Sequence, residues 1–172
     1  MAELPRLNGV IKTLAEGKVA FASFSPMDVE SAMAMAGSAL DGVVFEMEHG
    51  PLDFPGLRQS LQFMLDRREI VTRASLAPRV TPLVRVPPNG SEMNQWIAKQ
   101  VLDQGVYGIV WPHVSTVEEA RNAVASCRYA RPEGAPRYEP RGQRGDAPAN
   151  AARYWGLTQP EYYQRADVWP LD

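Results

Sequence analysis

Cysteine is almost missing from this sequence: Cys127 is the single one in 172 residues, so no internal disulfide can staple the fold. A lone thiol in a helix-like stretch suits a reducing compartment and a structural role. Charge of one sign is missing too. The 18 basic and 20 acidic side chains are interspersed, and a net charge of -2 leaves no basic footprint for nucleic acid or an anionic membrane surface. No stretch approaches the roughly 18 consecutive apolar residues that a membrane span requires. The opening Met1-Ala2-Glu3-Leu4-Pro5-Arg6 lacks the positive segment and apolar core of an export signal, so the expected location is the cytoplasm. What is present, 45% hydrophobic and 22% charged side chains, is the makeup of one ordinary globular domain.

Leu7, Val10, Ile11 and Leu14 fall at helical spacing within residues 6–16, and Gly17 can adopt the left-handed conformation that ends a helix. Residues 19–24 form an apolar run of strand length. Ser25-Pro26 then offers a cap and a first-turn proline for a helix over 27–36. The same strand-then-helix beat recurs three more times. Asp41-Gly42 precedes a strand over 43–47, and Asp53 caps a helix through Asp66 with Leu57, Leu61, Met64 and Leu65 on one face. A third strand, 82–86, is ended by Pro87-Pro88-Asn89-Gly90, and Ser91 opens a helix carrying Met93, Trp96, Ile97, Val101 and Leu102 up to Gly105. A fourth, 108–111, is ended by Pro112-His113, and Thr116 with Glu119 makes a capping box for a helix to Tyr129.

Alternating strands and helices imply parallel strands joined by right-handed crossovers. No glycine-rich dinucleotide fingerprint follows the first strand, which favours an α/β barrel of the (β/α)8 TIM type over an open nucleotide-binding sheet. A whole barrel of this kind needs about 250 residues. The expectation is therefore a single partial barrel domain over 1–172, with the first four to five β/α units in 1–130. Residues 131–150 read as a long loop rich in Gly, Pro and Arg, of the kind that is functional or disordered, followed by a short helix over 159–165.

In parallel barrels the reactive side chains sit at the C-terminal strand ends. The second strand delivers Glu46, Glu48 and His49 there, and strand alternation sends both glutamates to one side, the barrel mouth. Three ionisable groups leaving the apolar run Val43-Val44-Phe45 are costly unless they hydrogen-bond or serve a site; the plain alternative is a solvated loop start. Arg85, between Val84 and Val86, offers a planar cation suited to bidentate capture of a carboxylate, the alternative being an ion pair with a neighbouring-strand carboxylate such as Glu46. Trp111 and His113 share the rim of the fourth strand; a lone loop histidine is most often incidental. Asp103 lies against the dipole at a helix C-terminus and invites a compensating partner. An imidazole such as His49 would serve, gaining basicity and a fixed tautomer, while a solvated aspartate is the default.

Four separated segments together carry a resemblance. They are Asp41-Gly42-Val43-Val44-Phe45-Glu46-Met47-Glu48-His49-Gly50-Pro51, Pro82-Leu83-Val84-Arg85-Val86-Pro87, Lys99-Gln100-Val101-Leu102-Asp103-Gln104-Gly105 and Ile109-Val110-Trp111-Pro112-His113-Val114. With Arg128-Tyr129 and Arg141-Gly142-Gln143-Arg144-Gly145 following in order, the sequence resembles the pyruvate-dependent class II aldolases of the HpcH/HpaI aldolase and citrate lyase superfamily. The resemblance implies a metal-dependent (β/α)8 barrel, assembled as a homo-oligomer, usually a hexamer, that cleaves 4-hydroxy-2-keto acids to pyruvate and an aldehyde. It implies that His49 is the acid/base residue with Asp103 as its partner, and that Arg85 binds the pyruvyl group and steadies the enolate. Glu48, with Glu46 beside it, would order metal-bound water, and Trp111 and Phe21 are the expected substrate-binding walls. The metal would be a divalent ion, Mg, Mn or Co, and its two carboxylate ligands belong to strands after the long loop, so they are expected beyond residue 172. Two departures bear on the pocket: Met47 stands where many members have glycine, and the loop over 86–92 is longer than usual. Two alternatives stay open, an acyl-coenzyme A ester lyase of the same superfamily and a truncated, catalytically silent half-barrel acting in assembly. The coenzyme A relatives are longer and more basic, which favours the free keto acid.

Overall fold

Each apolar run flanked by turn residues becomes a strand, and each is followed by a helix that lies back across it. The computed structural model describes residues 6–88, 93–136 and 138–166. Its strands are β1 (Ala22–Ser25), β2 (Gly42–Glu46), β3 (Thr81–Arg85) and β4 (Ile109–Val110). They form one parallel sheet in the order β1-β2-β3-β4, with Ala22 beside Gly42, Gly42 beside Thr81 and Val84 beside Ile109. Around it run α1 (Gly9–Ala15), α2 (Val29–Ala36), α3 (Phe54–Phe63), α4 (Arg67–Arg73), α5 (Gln95–Gln104), α6 (Val117–Cys127), α7 (Ala149–Trp155) and α8 (Gln159–Arg165). This is a partial α/β barrel, its first units in chain order. Among the described residues no helix is long and apolar enough to cross a membrane.

Strand alternation divides the sheet into two faces. Val43, Phe45, Met47, Val84 and Val86 are fully buried and share one core with Leu57 and Leu61 of α3 and Ile97 and Val101 of α5. Each such aliphatic side chain contributes about 1.5–3 kcal/mol relative to exposure, so this layer holds the helices to the sheet. The other face carries Val44, Glu46, Leu83 and Arg85, which brings charge to the C-terminal strand ends.

Several caps stand where the sequence places them. Asp53 accepts from Gly56 N at 2.9 Å, Thr116 and Glu119 form a reciprocal capping box, and Gly105 ends α5 with φ 118°. Other boundaries differ: β1 begins at Ala22 rather than at residue 19, α1 is confined to Gly9–Ala15 and α6 ends at Cys127, and three helix starts differ for identifiable reasons. α2 starts at Val29 because Asp28, not Ser25, is its cap: the Asp28 carboxylate accepts from both the N–H and the hydroxyl of Ser31 at 2.8 Å, while the Ser25 hydroxyl bonds Pro26 O. The helix expected through Asp66 is two helices, since Asp66 accepts from Arg68 N and Glu69 N and so begins α4. α5 begins at Gln95 with Asn94 at its cap position; the opening expected at Ser91 lies outside the described residues.

Between the long loop and the helix expected over 159–165 stands a further helix, α7. Trp155 of α7 is buried, stacks on Tyr107 with ring centroids 4.1 Å apart, and donates from Nε1 to Gly105 O at 2.8 Å, while Tyr162 of α8 meets it edge-on. Such stacking contributes about 1 kcal/mol beyond burial. Tyr107 N in turn bonds Pro82 O and Asn8 Nδ2 bonds Tyr107 O, so α1, α7 and α8 gather at the N-terminal end of the sheet. The C-terminal end is left to the charged side chains.

Candidate active site

The register that pairs Glu46 with Arg85 sets a carboxylate and a guanidinium side by side on neighbouring strands, facing the same way. Arg85 Nε donates to Glu46 Oε2 at 2.8 Å, an Nη2 of the same group also reaches Glu46, and Nε lies 3.1 Å from Glu48 Oε2. The guanidinium carbon lies over the ring of Phe24 from β1, 4.5 Å from its centroid. Glu46 uses its other oxygen, Oε1, to accept from the backbone N–H groups of Glu48 and His49, at 2.6 and 3.1 Å. Glu46 therefore shapes the turn that presents His49. Burial works to raise the Glu46 carboxyl, but the Arg85 hydrogen bond and the two backbone donors outweigh it and hold it below the usual carboxylate range.

Glu48 is the centre of the cluster. Its side chain is 6% exposed, whereas those of His49 and His113 are 74% exposed, so two water-accessible imidazoles stand over one buried carboxylate. His49 Nε2 lies 3.6 Å from Glu48 Oε2, and His113 Nε2 lies 3.4 Å from Glu48 Oε1. These are ion-pair separations rather than formed hydrogen bonds, of the kind that tighten when a substrate closes a site. Three strand ends thus converge: β2 supplies Glu46, Glu48 and His49, β3 supplies Arg85, and the turn after β4 supplies His113.

Three expected residues stand elsewhere. Asp103 does not meet His49 within this chain, because α5 runs antiparallel to the strands and its last turn lies beside the start of β3, at the other end of the sheet. There Asp103 Oδ1 accepts from Arg144 Nη2 at 3.0 Å. Arg144, with a side chain 1% exposed, also donates to Tyr162 OH at 3.0 Å and stacks on Tyr129. Burial pushes the Asp103 carboxyl up, and Arg144 offsets only part of that. Phe21 also lies at the N-terminal end, its N–H on the Asp41 carboxylate and its carbonyl on Asp41 N and Gly42 N. Phe24 is the aromatic that reaches the cluster, and its parity with Val44 and Glu46 is the signal that identifies it. Trp111 lies on the other face: Ile109 pairs with Val84 of the helix-facing side, and Trp111, two residues on, lines a cavity with Ile109, Cys127 and Ala123.

Among the described residues, no group of three His, Cys, Asp or Glu side chains is arranged to hold a metal ion. Glu46 and Glu48 face Arg85 and the turn backbone instead, so these residues do not fit a metal cage. What they can do is hold an anion-stabilising guanidinium beside an exposed imidazole.

Sheet and rim together define a class, the first part of a (β/α)8-type barrel with its polar groups at the C-terminal strand ends. The family model described as HpcH/HpaI aldolase/citrate lyase matches residues 21–143. The chain belongs to that family. It is 32% identical over 129 residues to the hydroxypyruvate/pyruvate aldolase of Roseobacter denitrificans, covering 74% of this chain and 44% of that protein. It is 33% identical over 143 residues to the 5-keto-4-deoxy-D-glucarate aldolase of Enterobacter sp., covering 83% of this chain and 45% of that one. The chain thus spans less than half the length of these two relatives. A crystal structure of an HpcH/HpaI aldolase/citrate lyase family protein from Burkholderia cenocepacia J2315 superposes with a TM-score of 0.66 at 26% identity, over 91% of this chain and 55% of that one.

Proposed function

We propose that this chain carries the acid/base and enolate-holding part of an aldehyde-lyase site that cleaves or forms 4-hydroxy-2-keto acids with pyruvate as the keto partner. The observation that carries the reading is the exposed His49 imidazole standing over buried Glu48, which also meets the Arg85 guanidinium. The names of the two relatives, both aldolases of keto compounds, support it. In the cleavage direction His49 takes the proton of the 4-hydroxyl, the C3–C4 bond breaks, and its electron pair passes into the keto acid as an enolate. Arg85 faces the charge that develops there, and the proton returns to C3 to give pyruvate. A divalent ion, Mg, Mn or Co, belongs to the reading as a group held by carboxylates other than those described, and no step is assigned to it. Assembly as a homo-oligomer and a cytoplasmic location belong to the same reading.

The test is release of pyruvate from 4-hydroxy-2-keto acids by the full-length or assembled protein, with Mg, Mn or Co supplied, followed through lactate dehydrogenase. His49→Ala should abolish it, and Arg85→Lys should slow it through loss of the planar fork. Turnover that persists in His49→Ala, or no pyruvate across several aldehyde partners, refutes the reading. One observation favours a second reading, a silent half-barrel acting in assembly: Arg85 is already engaged by two carboxylates, as a purely structural ion pair would be. That reading requires His49→Ala and wild-type chains to be indistinguishable in the same assay.

A further inference from the structure

The chain has two histidines, and both direct Nε2 at the same carboxylate, His49 at Oε2 and His113 at Oε1 of Glu48. A glutamate carboxylate turns about a broad, two-fold torsion, so contacts to one oxygen alone leave its plane poorly fixed. Here Oε2 faces Arg85 Nε at 3.1 Å and His49 Nε2 at 3.6 Å, and among the described residues His113 Nε2 is the ion-pair contact on Oε1. The backbone at His113 has φ 55°, a left-handed conformation uncommon for residues other than glycine. Strained backbone of this kind persists where the surroundings over-determine it, and it gathers at functional positions. Pro112-His113 is also the point where β4, the strand beside Arg85, joins the rim.

We propose that His113 is a positioning residue of this site: by engaging Oε1 of Glu48 it keeps Oε2 turned toward Arg85 and His49, and so fixes the ring of His49 for proton transfer. This rests on the reading of His49 as the acid/base group, but the contact itself can be tested without turnover. In His113→Asn the backbone keeps a residue that tolerates the left-handed conformation, the side chain no longer reaches Glu48, and His49 becomes the only imidazole in the chain. His113→Gln restores a donor at about the original reach. The ring nitrogens of His49 are then compared by nitrogen NMR in wild type, His113→Asn, His113→Gln and Glu48→Gln.

The expected result is that His113→Asn displaces the His49 ring signals in the direction Glu48→Gln does, while His113→Gln leaves them near wild type. In the pyruvate assay His113→Asn should lower kcat by about 10- to 100-fold with little change in KM for the keto acid, the cost of a misplaced reacting group. His49 signals that move in Glu48→Gln but stay at wild-type values in His113→Asn overturn the proposal. So does a kcat in His113→Asn equal to that of wild type. If no chain turns over, the proposed reaction falls while the NMR comparison still decides the role of His113. Should His113→Asn fail to fold, His113→Gly, which relieves the backbone completely, gives the same comparison.

Discussion

Replacing Arg144 by Met removes a buried cation while keeping most of its volume, and it strands Asp103. The Arg144 side chain is 1% exposed and that of Asp103 is 18% exposed, so the pair is largely out of water. Removing one partner of a buried pair costs about 3–5 kcal/mol, because the remaining charge loses its compensation. Asp103 keeps some access to solvent and can take up a proton, which places the expected loss at the low end, about 3 kcal/mol at neutral pH. Its pH dependence follows from the direction of the Asp103 shift. In the folded chain burial holds that carboxyl above its ordinary value, so the folded state binds the proton more readily than the unfolded state. Stability therefore falls as pH rises from the ordinary aspartate range through the raised folded value. Without Arg144 the folded value climbs further and the neutral-pH penalty grows. Near about pH 3 both states carry a protonated Asp103, and the deficit should shrink to about 1 kcal/mol, from the lost Tyr162 hydrogen bond and the Tyr129 stack. Urea unfolding of wild type and variant at the two pH values measures this. A deficit below about 1 kcal/mol at neutral pH, or one that does not change with pH, refutes the reasoning. The double variant Asp103→Leu, Arg144→Met should recover most of the loss, since no stranded charge remains.

Glu46→Gln tests the turn that presents His49. Because the Glu46 carboxyl is held below its ordinary value, its contribution is present above the ordinary glutamate range and disappears as pH falls through the lowered folded value. Wild type should lose more thermal stability across that acid window than the variant, which keeps only the losses of the other lowered carboxylates such as Asp41 and Glu119; melting temperatures between about pH 3 and 7 will show it, and parallel curves would contradict it. Gly105→Ala should destabilise by more than about 1 kcal/mol in urea titrations, since a side chain at its φ of 118° is strained and its Cβ would meet Tyr154 at 2.8 Å. A neutral result would show that Tyr154 and the backbone can give way.

The strand-and-helix alternation is legible because each unit carries its own punctuation: Asp53, the Thr116 and Glu119 pair and Gly105 bring their partners with them within a few residues. Asp66 shows the limit of such signals. An aspartate after an apolar face reads as the end of one helix, yet its carboxylate accepts from the N–H groups that follow it and begins another. Ser25 and Asp28 are both acceptable caps, and the choice turns on Ser31 offering two donors to a carboxylate. α7 is less legible still, because it is anchored by Trp155 packing on Tyr107, a contact across the chain. Phe21 and Trp111 lie away from the charged cluster of this chain for one shared reason. Their facing depends on strand start and register, and a shift of one residue moves a side chain to the other face.

Asp103 shows which part of a local argument transfers to three dimensions. A carboxylate at the C-terminal end of a helix does need compensation, and it finds it, but in Arg144, 41 residues later, rather than in His49. In a β/α unit the last turn of the helix and the C-terminal tip of the preceding strand lie at opposite ends of the sheet, so one chain cannot bring the two together without unwinding the helix. Within the described residues of this chain, the carboxylates that reach His49 come from a strand end and the turn after it. They are Glu46 and Glu48, and Glu46 is committed to the turn backbone and to Arg85. Glu48 is left to meet both imidazoles, with Arg144 and Asp103 holding the far end of the same barrel segment. Loss at the Arg144 end should appear first as stability, and loss at the Glu48 end first in the proposed pyruvate turnover.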